Sequence, residues 1–197
     1  MADEAHRVPV IDLSKAPGAG EAWDRPAPVI ALWMLAEALL VTNPLQVSSS
    51  VRVQVLRAFG ARIGRGTIVR PRVRVKFPWK LEIGDRSWIG EGVWFHNQDR
   101  IVVGADVVIS QETFLTTGSH RVRRDMGLVT RPIRIEDGAW LTSRCMVLGG
   151  SRIGRSAVAR PMTVVQGEVG ANDVVSGPDC TVVGVRFTAS PEGRGRA

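Results

Sequence analysis

A six-residue step runs through the second half of this chain and leaves few folds open to it. Aliphatic residues stand at Ile135, Leu141, Val147, Ile153, Ala159 and Val165, each six positions after the last. Four positions beyond the first five of these come small or branched residues: Ala139, Cys145, Ser151, Ala157 and Thr163. A helix repeats at about 3.6 residues and a flat strand at 2, so a period of six belongs to neither. It belongs to a coil of short strands and turns stacked as a parallel β-helix, an all-β fold.

The phase continues upstream at Ile63, Val69 and Val75, at Ile83, Ile89 and Phe95, and at Val103, Ile109 and Leu115. The coil starts Ile63, Ile83 and Val103 are 20 residues apart, and the next, Ile135, follows after 32. Three hexads make 18, so the last interval carries a large excess, and it begins at Ser119-His120. A loop at 120–132 is therefore expected. Solenoid insertions gather on one face, often the binding face. Gly64, Gly84, Gly90, Gly104 and Gly154 each follow an inward aliphatic residue. They are expected at tight corners that need glycine's permissive backbone.

Around the coils, residues 1–28 lack periodicity and suggest a flexible arm. Residues 29–60 suggest a helical cap. Val29 to Val41 is apolar except for Glu37, too short to span a bilayer, and stops before Asn43-Pro44. Trp33 and Leu40 are expected to pack on the open end of the β-helix. A surface membrane anchor, giving peripheral membrane contact, is the other reading of this stretch. In Ser48 to Phe59, helical spacing puts Val51, Val55, Leu56 and Phe59 inside and Arg52 and Arg57 outside, with Gly60 as C-cap. The coils fill 61–185, and 186–197 suggest a flexible tail.

The net charge is +7, and the Arg residues are scattered rather than clustered. No RNA-binding aromatic motif or recognition helix accompanies them, so no nucleic-acid partner is expected. Cys145 and Cys180 have no metal or redox spacing, and Cys145 falls on a small inward position. A buried free thiol and a cytoplasmic setting follow, in line with the lack of a secretory leader. The coils hold only His96 and His120, too few for a three-histidine zinc site, and no metal is expected.

Several stretches are more specific than the hexad: Leu56-Arg-Ala-Phe-Gly-Ala-Arg-Ile-Gly, Phe77-Pro-Trp-Lys-Leu-Glu-Ile-Gly-Asp, Ser87-Trp-Ile-Gly-Glu, Val108-Ile-Ser-Gln, Leu115-Thr-Thr-Gly-Ser-His and Arg131-Pro-Ile. Together they resemble the colanic-acid-type O-acetyltransferases of exopolysaccharide biosynthesis, within the left-handed β-helix acyltransferases. The resemblance covers roughly 30–175 and supplies the left hand of the coil, which periodicity does not. It implies acetyl-CoA as co-substrate, a sugar hydroxyl as acceptor, free or lipid- or nucleotide-linked, and a homotrimer with sites between subunits.

His120 is the candidate general base. It precedes the long insertion and follows Gly118-Ser119, and an imidazole can take a proton from a hydroxyl at neutral pH. The resemblance gives the same role to the histidine of the Gly-Ser-His motif. It points to Ser143, in Trp140-Leu-Thr-Ser, for the oxyanion. It points to Asn97 with His96, and to Trp79 and Lys80 of the Phe-Pro-Trp-Lys stretch, for the acceptor. Arg121 is a candidate for an acceptor phosphate. Trp140, Thr142, Gly149, Arg160 and Arg186 are the candidates for coenzyme A. The chain departs from the pattern in four places. Arg121 stands where Asp often follows the histidine, Thr142 where Gly is usual, and Arg160-Pro161 where small residues are usual. Gly177-Pro178-Asp179-Cys180 replaces the terminal motif. The alternative these departures favour is a non-catalytic, partner-binding β-helix without its CoA groove.

Overall fold

The computed structural model describes residues 9–177. It is a parallel β-helix with a triangular section, each coil giving one short strand to each of three sheets. Sheet I stacks β1 (Arg62–Ile63), β4 (Leu81–Ile83), β7 (Ile101–Val103), β12 (Ile133–Ile135), β15 (Arg152–Ile153) and β18 (Glu168–Val169). Sheet II stacks β2 (Ile68–Val69), β5 (Trp88–Ile89), β8 (Val108–Ile109), β13 (Trp140–Leu141), β16 (Val158–Ala159) and β19 (Val174–Val175). Sheet III stacks β3 (Arg74–Val75), β6 (Trp94–His96), β9 (Phe114–Thr116), β14 (Met146–Leu148) and β17 (Val164–Val165).

The register is the one the hexads dictate. Ile63 pairs with Ile83, Ile83 with Val103, Val103 with Ile135 and Ile135 with Ile153, and all five are buried. The small residues Ala139, Cys145, Ser151, Ala157 and Thr163 are buried too, because the corners leave room for little more. Strand neighbours of the inward residues point out, and their chemistry differs by sheet. Sheet I is charged, with Arg62 beside Glu82 and Arg152 on Glu136. Sheets II and III show Trp88, Trp140, Met146 and Val164 to solvent.

The corner glycines serve another purpose than the one expected. None of Gly64, Gly84, Gly90, Gly104 or Gly154 has a positive φ. A Cβ on Gly84 would lie 2.5 Å from the Ala105 nitrogen in the next coil, and one on Gly154 2.5 Å from that of Ala171. They are glycine because the coils approach too closely for a side chain. The left-handed corner positions are held mostly by other residues, among them Arg72, Arg86, Asp106 and Arg144.

Two helices close the N-terminal end, where an unpaired strand edge would otherwise face water. The first, Ala27–Ala36, runs on as a wider turn over Glu37–Val41. Glu37 accepts the Val75 N–H at 2.6 Å, and the buried Trp33 donates to the Val75 carbonyl at 3.1 Å. The second helix, Ser49–Ala58, starts on the Ser48 cap, and Ser49 accepts the Val69 N–H at 2.8 Å. Three expectations fail here. Leu40 is exposed rather than packed, and Val51 is exposed because the second helix buries the face of Val53 and Leu56 instead. Arg52 is fully buried, because its guanidinium donates to the carbonyls of Val41 and Gln46 where the first helix ends. Arg57, partly buried, donates to the Ile63 carbonyl at 2.6 Å. The expected arm is tied down at Ala22 to Asp24, as described next. The tail from 186, Cys180 and Arg186 lie outside the described residues.

Candidate active site

The long insertion leaves the corner between sheets III and I, and it is a β-hairpin rather than a loop. β10 (Gly118–His120) and β11 (Leu128–Thr130) pair antiparallel, with His120 opposite Leu128. At its tip Arg121 grips Asp125 with two hydrogen bonds, 2.8 and 3.0 Å. The same carboxylate accepts the Gly127 N–H at 2.9 Å. Arg121 first of all, then that N–H, holds the Asp125 carboxyl below the usual carboxylate range. A Cβ on Gly127 would lie 2.2 Å from the Arg121 guanidinium, so a side chain there would push that arm off Asp125.

The folded tip turns the Met126 carbonyl onto His120 Nδ1 at 2.8 Å. A carbonyl can only accept, so Nδ1 carries the proton and Nε2 is left with its lone pair. That is the tautomer a general base needs, fixed by a backbone group. Arg121, expected at an acceptor phosphate, is here the brace of the turn that orients the His120 imidazole.

His120 lines a cleft of about 320 Å³ with Ser119, Val129, Arg131, Leu148, Gly149 and Gln166 among its walls. A Cβ on Gly149 would meet the Thr117 carbonyl oxygen at 2.6 Å, so glycine lets this coil close on the hairpin's base. Gln166 has no motif to mark it. It lies 18 residues beyond Leu148, which pairs with Thr116, and stepping by one coil would have found it.

Ser143 is elsewhere. It sits at the corner between sheets II and III, half-buried, donating to Gln111 at 3.1 Å. Trp140 on sheet II donates to Ser110 at 3.0 Å, and exposed Arg160 follows one coil on at the same corner. The width of sheet III separates this group from His120, roughly 15 Å at about 3.3 Å per residue. Thr142 is turned inward, its hydroxyl on the Ala159 carbonyl at 2.7 Å, and it lines no outer groove.

The residues expected on the acceptor divide. Asn97 is fully buried, accepting from the Phe77 N–H at 3.0 Å and donating to the Phe77 carbonyl at 2.6 Å. Trp79 donates to Asp24 at 2.7 Å, and Lys80 donates to the Ala22 and Gln98 carbonyls. These three form a clasp on the N-terminal segment, with no polar group left toward a ligand. His96 does line a hollow, about 300 Å³, between the first helix and sheet III, with Trp23, Glu37, Arg74, Lys76 and Trp94. Its Nδ1 meets the Thr116 hydroxyl at 3.1 Å and Nε2 faces Lys76 at 3.5 Å. Burial, then the Lys76 charge, pushes His96 below its ordinary pKa.

A coil of six-residue steps carrying an outward, tautomer-fixed histidine on an inserted hairpin defines a class, the β-helix transferases built of hexapeptide repeats. The acetyltransferase WcaF of Escherichia coli, assigned to colanic acid biosynthesis, is 34% identical over 155 residues, 78% of this chain and 85% of that one. A Vibrio cholerae hexapeptide-repeat acetyltransferase complexed with acetyl-CoA shares the fold at TM-score 0.69 and 23% identity, covering 76% of this chain and 82% of its own. A galactoside acetyltransferase in complex with coenzyme A does so at TM-score 0.57 and 15% identity, over 78% and 80%. No family model matches the sequence. The chain belongs to the hexapeptide-repeat acetyltransferases.

Proposed function

We propose that the protein transfers the acetyl group of acetyl-CoA to a hydroxyl of a sugar, free or carried on a lipid or nucleotide, in polysaccharide or glycosylated-metabolite assembly. The observation that carries the reading is the Nδ1 contact of His120 with the Met126 carbonyl, which leaves Nε2 as a proton acceptor in an open cleft. The assignment of WcaF to colanic acid biosynthesis and the acetyl-CoA in the Vibrio complex support the substrate classes.

In this mechanism His120 Nε2 takes the acceptor's hydroxyl proton as its oxygen attacks the thioester carbonyl. The tetrahedral oxyanion collapses, the carbon–sulfur bond breaks, and the CoA thiolate recovers the proton from the imidazolium. The oxyanion needs fixed donors, and Ser143 lies on another corner of the same chain. The working unit is therefore a homotrimer, in which Ser143, Trp140 and Arg160 of a neighbouring copy face the hairpin of the first. In contrast to the charged sheet I, the mostly apolar outer faces of sheets II and III, charged only at Arg74 among their described strand residues, support that packing. The hollow at His96 then holds the acceptor, Trp94 offering a flat face to a sugar and Arg74 and Lys76 meeting any linked phosphate.

The test is acetyl-CoA binding by calorimetry, with transfer to a panel of free and nucleotide-linked sugars and with light scattering. Saturable binding, turnover and a trimer mass are expected. No heat at millimolar acetyl-CoA would sink the donor assignment. A monomer at micromolar concentration would sink the shared site.

A further inference from the structure

The N-terminal end of the solenoid presents an apolar helix inside a ring of cations. The first helix and its continuation are apolar on every side but one, and that one faces inward. From Pro26 to Val41 the sole charged residue is Glu37, and its carboxylate is turned in, onto the Val75 N–H. Trp33 and Val41 are buried against the first coil. The opposite side carries Leu32, Leu35 and Leu39 at 58%, 56% and 55% exposure, spaced for one helical face. Beside them the turn between the helices holds out Leu45 at 87% and Val47 at 85%. A surface helix normally turns its polar side to water, and this one has none to turn.

The charge around it is as uneven. From Arg25 to Leu81 the sequence holds ten basic residues and one acid, Glu37. Five of the cations, Arg62, Arg65, Arg70, Arg72 and Arg74, are exposed on the first coil and distributed around all its faces. Arg62 and Arg72 reach carboxylates of the second coil, at 3.8 and 3.4 Å, in pairs open to water that hold little. Arg65 and Arg70 make no ion pair among the described residues. The second coil by contrast carries Glu82, Asp85, Glu91 and Asp99 against Arg86 and Arg100. The basic excess is thus largest at the capped end, ahead of the hairpin with its Arg121, Arg123, Arg124 and Arg131.

We infer that this end docks on an anionic phospholipid surface, the first helix lying in the interface and the first-coil arginines on the headgroups. No helix among the described residues is long and apolar enough to cross a membrane, so the contact is peripheral. Leucines enter the headgroup–acyl boundary without leaving a polar group unsatisfied, and each Lys or Arg near an anionic leaflet adds electrostatic attraction. A protein partner would be expected to find hydrogen-bonding groups at the patch, and its outward face offers none. In a trimer with parallel axes the three caps share one end, so their contacts add as avidity. The inference stands apart from the acetyl-transfer reading, since neither CoA nor acceptor enters its test. Where both hold, docking brings the hairpin cleft to sugars carried on lipids.

The experiment is co-sedimentation of the full chain with vesicles of phosphatidylcholine alone or mixed with phosphatidylglycerol, at low and high salt. Partitioning about tenfold or more stronger on the anionic vesicles, weakened by salt, is expected. The double substitution Leu35→Glu with Leu39→Glu should reduce it at least about tenfold. Arg65→Gln with Arg70→Gln should remove most of the preference for anionic lipid and leave the melting temperature unchanged. Equal partitioning on both vesicles, or none, overturns the inference. So does a Leu35→Glu/Leu39→Glu chain of smaller oligomeric mass by light scattering, for the leucines would then be covered by a second copy.

Discussion

The corner between sheets III and I is elaborated twice, and the two elaborations are built to opposite ends. On the first two coils it is the clasp of Phe77 to Lys80 with Asn97. There every polar group is used up on backbone or on Asp24, and Asn97 is sealed from solvent. On the third coil it is the hairpin, where the Nδ1 bond of His120 leaves its Nε2 open to a cleft. Both carry sequence motifs conspicuous enough to suggest a site. Only the second keeps a reactive atom unspent, and motif strength alone does not separate a structural clasp from a chemical one.

Breaking each elaboration in turn should give opposite phenotypes. His120→Ala is expected to lower kcat by about 10²–10⁴, the usual worth of general-base help, at unchanged melting temperature and acetyl-CoA affinity. His120→Asn should be as poor, because it cannot accept the proton. Full turnover of His120→Ala with the true acceptor would end the proposed mechanism.

Asn97→Ala is the matching break in the clasp. It strands the buried N–H of Phe77, while the Phe77 carbonyl keeps the Lys80 N–H at 3.0 Å. A loss of about 1–3 kcal/mol, the cost of one unpaired buried donor, is expected by denaturant unfolding, with kcat of the folded fraction unchanged. A stable Asn97→Ala protein with impaired acceptor KM would restore Asn97 to the acceptor site and erase the contrast.

The brace of the hairpin should respond between these extremes. Asp125→Ala releases Arg121 and the Gly127 N–H, freeing the turn that aims the Met126 carbonyl. The ion pair is exposed, so stability should move little. Misplacing a reacting group by 1 Å can cost about 10²-fold, and a kcat loss of about tenfold is expected. Asp125→Asn retains an acceptor for both donors and should recover most of it. Equal activity of wild type and Asp125→Ala would show that the carbonyl needs no brace.

What could be read in the sequence divides along the same line. The coil and its register were legible because inward residues repeat at a fixed step, and burial constrains residue type directly. The insertion beside His120 was legible because it breaks that step at a histidine. Direction was not. Asn97 and Thr142 look like ligand-facing residues until their hydrogen bonds are seen, and Arg52 looks like a surface charge until it is found capping carbonyls inside. The orienting group of His120 could not be read at all, since a Met126 carbonyl has no letter of its own. Ser143 and His120, expected at sites between subunits, lie on different corners of a single chain.

The smallest expected effect concerns the hollow beside the clasp. Burial and the neighbouring Lys76 hold His96 neutral in the folded chain below the pH at which a free imidazole would charge. Between that lowered value and the ordinary value near 6.5, the unfolded chain binds a proton that the native chain refuses. Stability then rises with pH across this window, levels off above it, and falls as the medium is acidified. Glu37, in the same hollow, works the other way. Burial raises its carboxyl above the ordinary range, so its protonation favours the native state in acid. The two slopes partly cancel in wild type, and the comparison with His96→Gln isolates the histidine. Thermal melts from weakly acidic to neutral pH should show a shallower rise in Tm for His96→Gln than for wild type, while both keep the activity ratio between His120 and His120→Ala. Parallel Tm profiles for the two proteins would mean that His96 titrates as freely folded as unfolded, and that the hollow beside the clasp is as open to water as the hairpin cleft.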